Sequence, residues 1–418
     1  MKPVLPTRLF PASLCLTTRI VFRTTTDVFD RSRCTGLIRE GHISHALASS
    51  LMEGFLDRMV ITSRCALFFL LACTLIKAAP ATNSDLDLGR LIQPASPDAR
   101  LVDEGYYVWC GSLVRAENGR YFLFYSRWPK QAGFAAWVVH SEVAFAVGDS
   151  PLGPFRPEGV ALAPRGSNQW DGMVTHNPQV LAVGGKYYLF YTGNRGDGNS
   201  FWTHRNNQRI GVAIADQPGG PWRRLDQPII DISDDPAAFD SQCVTNPAAA
   251  LRPDGGILLV YKAVTIDGTQ RGGPVRFGTA IAASPEGPYV KQPNQIFEPD
   301  SAHADAWMVA EDPFVWYSER YGHQYYAIVR DVIGSLIGEE GGLALFQSVD
   351  GLTWTPARHP KVLGKRFLNA DGSLSPSKLE RPQLYIDSEG FPRILLGAVS
   401  VDVPKARSDS FNVQLQLQ

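Results

Sequence analysis

One short pattern returns five times along the chain at a nearly constant interval. Four segments open with a polar or charged pair before a proline: His176-Asn177-Pro178, Thr245-Asn246-Pro247, Glu311-Asp312-Pro313 and Glu380-Arg381-Pro382. Trp109-Cys110-Gly111 holds the equivalent place in a fifth, and the steps from Gly111 through the four prolines are 67, 69, 66 and 69 residues. A second marker, Pro-x-Gly-Pro followed by an aromatic residue, ends at Phe155, Trp222 and Tyr289, with Trp354 in the corresponding place of the next unit. Two independent markers in phase are the signature of a repeat architecture.

Within a unit the residues read as four strands. In the second unit these are Gln179 to Ala182, Lys186 to Tyr191, Ile210 to Ala215 and Pro228 to Ile232, with Gly184-Gly185 as a tight turn. Short β-branched and aromatic runs bounded by Gly, Pro, Asn and Asp are strand signals, and useful helix-period stretches are absent after about residue 85. Four-stranded units repeated radially are propeller blades, so the expected fold is an all-β, five-bladed β-propeller of antiparallel blades. The fifth unit supplies only three strands, Gln383 to Ile386, Arg393 to Val399 and Phe411 to Leu417, and Leu91-Ile92-Gln93-Pro94 is expected to close it as the fourth. Closure of that kind leaves no open sheet edge between first and last blade.

Residues 82–418 are long enough for one large closed domain, and a formal net charge of −1 gives no footprint for nucleic acid. The first eighty residues read differently. Met59 to Arg64 is a basic leader, Cys65 to Ile76 an apolar core and Ala79-Pro80-Ala81 a cleavage pattern, together a signal peptide over residues 59–81. Residues 1–58 then read as an upstream extension from a mis-assigned start codon. Secretion or periplasmic export is expected, with no membrane span; Leu70-Leu71-Ala72-Cys73 loosely resembles a lipoprotein processing site, the alternative anchored form. Of six cysteines only Cys110 and Cys243 fall in the propeller, and two separate buried thiols are expected there rather than a disulfide.

Alternating strand direction brings the start of strand one, the end of strand two and the start of strand three to one face of the disc. Polar groups gathered there are Asp171, His176 and Asn177; Asp240, Thr245 and Asn246; Glu311 and Asp312; Glu380 and Arg381. The loops between strands two and three add Trp128, His140, Glu142, Arg209, Lys262, Arg330 and Glu339. Long loops over a rigid scaffold commonly carry function, and charged groups converging on one concavity mark a binding site. Trp109 and Trp170 stand beside the same mouth, as do Trp137, Trp202 and Trp307. An exposed indole offers a large apolar face beside a polar N–H.

Five blades, a polar pair before a proline opening each inner strand, and Glu311-Asp312-Pro313 in blade four resemble glycoside hydrolase family 43 and its relatives in families 32 and 117. The resemblance implies a carbohydrate substrate and a catalytic acid at Glu311, with Asp312 in place of the family's glycine. It also implies a base and a pKa-tuning aspartate where this chain has Cys110 and Asn246. Glycoside hydrolysis needs a second carboxyl group, and Asp171 is the first choice, Glu142 the second and Glu380 the next. No cofactor is expected; an oxygen-ligated axial cation such as calcium is an open alternative. A non-catalytic carbohydrate-binding propeller is the competing reading, raised by the two missing aspartates. Substrate sugar, stereochemistry and oligomeric state are left open.

The signal-peptide reading is checked by mass spectrometry of the exported protein, which should carry Thr82 at its N-terminus. Peptides from residues 1–58 in the mature protein would contradict it.

Overall fold

The protein is described by a computed structural model covering residues 85–418, apart from 97, 167, 197–198, 368–375 and 404–405. The upstream extension and signal peptide lie outside the described residues. After a first short strand β1 (Arg100–Leu101), blade one is β2 (Tyr106–Arg115), β3 (Tyr121–Pro129), β4 (Glu142–Gly148) and β5 (Arg156–Leu162). Blade two is β6 (Val174–Val183), β7 (Lys186–Asn194), β8 (Gln208–Ala215) and β9 (Arg223–Arg224). Blade three is β10 (Cys243–Leu251), β11 (Ile257–Val264), β12 (Val275–Ala282) and β13 (Val290–Lys291). Blade four is β14 (Ala310–Ser318), β15 (Gln324–Asp331), β16 (Leu343–Ser348) and β17 (Thr355–Leu363). Blade five is β18 (Lys378–Ile386), β19 (Pro392–Val403) and β20 (Ala406–Gln416), with β1 as its outer member.

The five sheets are antiparallel β-propeller blades at the expected places. The segment on the last blade differs in detail from the sequence reading. Arg100 and Leu101 pair with Val413 and Asn412, whereas Leu91 ends a short helix, Leu88–Leu91, and Ile92 makes an isolated bridge to Leu417. Apolar side chains alternate toward the faces between blades, so the core is a set of blade-to-blade layers. One layer joins Phe124, Val143 and Val147 of blade one to Val180, Leu189 and Ala213 of blade two. Among the described residues no helix is long and apolar enough to cross a membrane.

Each inner strand carries one extra residue at the heart of the repeated pattern. In blade one Trp109 faces Ser126 but Ser112 faces Phe124, and the same slip occurs at His176/Gln179, Thr245/Ala248, Glu311/Phe314 and Glu380/Gln383. These are β-bulges, which bend a strand and re-aim its side chains. The bulged residues Cys110, Asn177, Asn246, Asp312 and Arg381 all lie at positive φ, between 52° and 61°. Left-handed backbone is disfavoured for residues with a Cβ and is not a conformation that a following proline encourages. Side-chain hydrogen bonds around the axis hold it there.

The ring runs through all five blades. The Cys110 thiol donates to Asn177 Oδ1 at 3.1 Å, Asn177 Nδ2 to Asn246 Oδ1 at 2.6 Å, and Asn246 Nδ2 to Asp312 Oδ1 at 2.7 Å. Arg381 Nη1 donates to the same Asp312 oxygen at 3.2 Å, which brings blade five into the network, and the Arg381 charge acts on the Cys110 thiol of blade one. All five side chains are buried. Burial pushes the Cys110 thiol up to about 11, against the pull of Arg381, so it stays a neutral donor. Strand two of the preceding blade braces the bulges: Ser126 Oγ accepts the Asn177 N–H at 3.0 Å and Thr192 Oγ1 the Asn246 N–H at 3.2 Å. Gly111 stands where four blades have proline because Asn412 packs against it; a Cβ there would meet Asn412 Nδ2 at 2.2 Å.

Asn246→Ala removes a donor and an acceptor at once from this ring. Leaving buried partners unsatisfied costs about 1–3 kcal/mol each, so a loss of about 2–4 kcal/mol is expected in urea unfolding. A change below about 0.5 kcal/mol, the range of ordinary surface substitutions, would mean that the ring does not hold the axis.

Candidate active site

The axial ring closes the floor of a cavity of about 420 Å³ at one mouth of the propeller. Its chemistry comes from the first member of each repeated pair. Trp109, His176, Glu311 and Glu380 precede the bulged residues of four blades and all reach the cavity. The bulge separates the two members of the pair: one enters the ring, the other lines the space above it.

Glu311 and Glu380 lie in adjacent blades and share a cation. Glu311 Oε1 accepts from Lys262 Nζ at 2.8 Å and its Oε2 from Arg330 Nη1 at 2.8 Å. The same Arg330 nitrogen lies 3.5 Å from Glu380 Oε1, which also accepts from Lys378 Nζ at 2.8 Å. Glu311, Asp312 and Glu380 each bring one carboxylate oxygen within 4.8 Å of the others. Burial opposes ionisation of Glu311, but Lys262 and Arg330 outweigh it and hold the group well below the usual carboxylate range. Glu380 goes the other way: burial first, then the neighbouring charge of Glu311, push it up against Arg330 and Lys378. The two carboxyl groups are therefore pushed in opposite directions, Glu311 toward its ionised form and Glu380 toward its protonated form.

Two long loops build the opposite wall. The β3–β4 loop carries Phe134 and the short helix Trp137–His140; the β7–β8 loop carries the helix Phe201–Asn206, capped by Ser200 through a capping box. Trp137 stacks on His176 with ring centres 5.0 Å apart, and Phe134 meets both Trp109 and Trp128 edge-on. Trp202 and Trp307 extend this surface on the far side. His176 Nδ1 is 2.7 Å from the buried Ser141 hydroxyl. Burial, then Arg381 and Lys262, push the imidazole down to about 3, so it presents as a neutral hydrogen-bonding group.

Of the residues singled out from the sequence, Trp109, Trp128, His176, Asn177, Asn246, Lys262, Glu311, Asp312, Arg330, Glu380 and Arg381 line this cavity. Within that set Glu311, expected as the acid, has both carboxylate oxygens held by cations that favour its ionised form. Asp171, the first choice for the base, does not reach the cavity. It is fully buried and ion-paired with Arg165 at 2.5 Å and Arg224 at 3.0 Å, and it accepts from Tyr191 Oη at 2.8 Å. Asp103 with Tyr125 and Arg127, and Asp240 with Tyr261 and Lys291, repeat the arrangement in blades one and three. Asp171 is thus the blade-two member of a set of strand anchors.

Glu142, the second choice, is tied to Arg127 at 2.9 Å away from the cavity lining. Trp170 is not a sugar platform: it stacks on Tyr191 and packs over Gly193 and Gly211, where a Cβ would meet its ring at 2.3 and 2.5 Å. Arg209 is spent on Asp231 and on the carbonyls of Asn206 and Gln208. Glu339 holds Lys361 and the Lys365 N–H, and His140 is exposed at the end of its short helix. Sequence reasoning missed Lys378, Arg205, Phe134 and Phe201. Lys378 sat two residues before Glu380 on the same face of a strand, a period-two signal that was available. Cys110 and Cys243 are free thiols. The three clustered carboxylates are each met by a protein cation, an environment unsuited to calcium, which needs its charge answered by oxygen ligands.

No family model and no curated protein matches the chain. Solved structures share its fold at low identity. A family 117 glycoside hydrolase of the marine bacterium Zobellia galactanivorans superposes with a TM-score of 0.52 at 18% identity, over 78% of this chain and 89% of that one. A thermostable family-43 glycoside hydrolase gives 0.51 at 14% identity over 78% and 92%. The endo-arabinase of Bacteroides thetaiotaomicron gives 0.50 at 13% over 78% and 97%. The five-bladed propeller is therefore the fold found in these glycoside hydrolases.

Asp171→Asn separates an anchor from a base. Breaking a buried ion pair is expected to cost about 3–5 kcal/mol in stability. Activity or sugar binding per folded molecule should stay within about twofold of wild type, since an ordinary scaffold change shifts free energies by only tenths of a kcal/mol at a distant site. A loss of turnover at unchanged stability would return Asp171 to the catalytic set.

Proposed function

We propose that the protein is an exported glycoside hydrolase that acts on plant or algal polysaccharide fragments, with Glu380 as general acid and Glu311 as its ionised partner. The observation that carries this reading is a pair of adjacent carboxyl groups beneath an aromatic wall, placed so that their surroundings push them toward opposite protonation states. Glycosidic bond cleavage needs this division of labour: a carboxylic acid protonates the leaving oxygen while a carboxylate faces the positive charge growing at the anomeric carbon. Close approach of the two groups favours direct attack by Glu311 over a pair spread about 6.5–9.5 Å apart to admit a water. Trp109 and Trp137 offer apolar faces for a sugar ring, and neutral His176 and the floor asparagines offer hydrogen bonds to its hydroxyls. Export is supported by the signal-peptide pattern at residues 59–81.

A non-catalytic carbohydrate-binding propeller is the second reading. It is favoured by the two cations that occupy both oxygens of Glu311.

Glu380→Gln and Glu311→Gln distinguish them on a panel of plant and algal oligosaccharides. A lost general acid lowers turnover by about 10²–10⁴-fold, and an aryl glycoside whose leaving group needs no proton should recover much of the loss in Glu380→Gln but not in Glu311→Gln. Wild-type activity should fall as pH rises through the raised pKa of Glu380. Glu311→Gln removes a charge that raises that pKa, so the alkaline limb of its residual activity should move to lower pH. Sugar binding with no turnover in the wild type, unchanged by either substitution, would establish the binding module.

A further inference from the structure

Among the described residues, five cationic side chains line the axial cavity, Arg205, Lys262, Arg330, Lys378 and Arg381, against the three carboxylates of Glu311, Asp312 and Glu380. Four of the cations each touch a carboxyl group. Lys262 and Arg330 hold Glu311, Lys378 holds Glu380, and Arg381 holds Asp312. Among the described residues, Arg205 touches none.

Arg205 stands on the Phe201–Asn206 helix, one turn after Trp202, with 6% of its surface exposed. Its Nη1 donates to Asn206 Oδ1 at 2.8 Å and to the Arg271 carbonyl at 3.3 Å, both neutral acceptors. Its guanidinium carbon lies 5.5 Å from the Trp202 ring centre and 5.6 Å from that of Trp307. Arg271 covers the outer side of Trp307 at 3.8 Å, adding a second positive group beside the same aromatic pair. The Nε atoms of Arg330 and Arg381 also have no protein acceptor. A buried cation without a counter-charge is unfavourable, and ring faces offset only part of its lost hydration. A ligand that brings negative charge to this wall removes the deficit.

We propose that the axial cavity takes an acidic saccharide, one bearing a carboxylate or a sulfate ester, and that Arg205 receives that negative charge against the Trp202–Trp307 wall. This rests on the carbohydrate reading above and narrows it. The sugar ring lies over the aromatic groups and its acidic substituent points to the blade-two side. The planar guanidinium suits either anion, since both present paired oxygens to its fork of N–H donors.

Calorimetric titration of the exported wild-type chain with three probes tests this: a trigalacturonate, its carboxyl-reduced counterpart and a sulfated galactan trisaccharide. One of the acidic probes should bind at least about tenfold more tightly than the neutral one, and which one does so identifies the anion. The preference should shrink between about 0.05 M and about 0.5 M salt, a comparison that needs no variant. Arg205→Met should abolish the preference, so that the acidic probe binds no more tightly than the neutral one to the same variant, while Arg205→Lys keeps part of it. Equal or tighter binding of the neutral probe, a preference that survives Arg205→Met, or no binding of either acidic probe at millimolar concentration overturns the proposal. Product analysis of the same mixtures keeps the two readings apart. An acidic preference without cleavage leaves the anion site standing and removes the hydrolase; cleavage of neutral sugar without preference does the reverse.

Discussion

The ring of hydrogen bonds around the propeller axis fixes both the closure of the disc and the placing of its chemistry. Five bulged residues in left-handed backbone turn their side chains inward, and each such conformation costs on the order of 1–3 kcal/mol unless its surroundings over-determine it. Asn and Asp tolerate that conformation; Cys110 and Arg381 have no such tendency and are held by their ring partners. Donation runs from Cys110 through Asn177 and Asn246 to Asp312, and from Arg381 to Asp312. Asp312 is the acceptor at which both arms end. This polarity explains why position 246 is an asparagine where the family pattern implies an aspartate. A carboxylate there could not donate to Asp312 and would set like charges 2.7 Å apart. An acid at 110 would likewise face Asn177 Oδ1, which needs a donor.

Chemistry displaced from the axis appears one residue earlier. The bulge turns Glu311 and Glu380 toward the mouth while Asp312 and Arg381 enter the ring, so adjacent residues in sequence have separate surroundings. Arg381, beside Glu380 in the chain, pairs with Asp312 instead. The cations that set the Glu311 and Glu380 charges arrive from strand ends of three blades: Lys262 from β11, Arg330 from β15 and Lys378 from β18.

This separation marks the boundary of what the sequence discloses. Blade number, inner strands and most cavity residues were legible, because the repeated pair recurs wherever the backbone must bulge toward the axis. The opposite shifts of Glu311 and Glu380 were not, since they depend on contacts between blades. Asp171 shows a signal present but unread. Asp103, Asp171 and Asp240 keep the beat of the repeat, and each has a tyrosine on strand two of its blade, Tyr125, Tyr191 and Tyr261. A residue repeated with its partner in three blades is better explained by scaffold than by a single active centre. Arg205 and Phe201 had no such signal, because their directions are set by a short helix inside an irregular loop.

Arg330 joins the two carboxyl groups into one titrating unit. Its Nη1 lies 2.8 Å from Glu311 and 3.5 Å from Glu380, so it favours the ionised form of both and of the nearer Glu311 more, while burial and the Glu311 charge push Glu380 the other way. In the proposed reaction, a Glu380 that has given its proton to a leaving oxygen would compete for the same guanidinium nitrogen, and the hold on Glu311 would weaken as positive charge grows on the sugar. The ionised group would then be freest to stabilise or attack the anomeric carbon at the stage when that carbon is most electron-poor. Lys262 limits the swing, because it grips the other Glu311 oxygen and belongs to a different blade. The two carboxyl groups can share one floor because each has its own lysine, Lys262 or Lys378, and Arg330 reaches both.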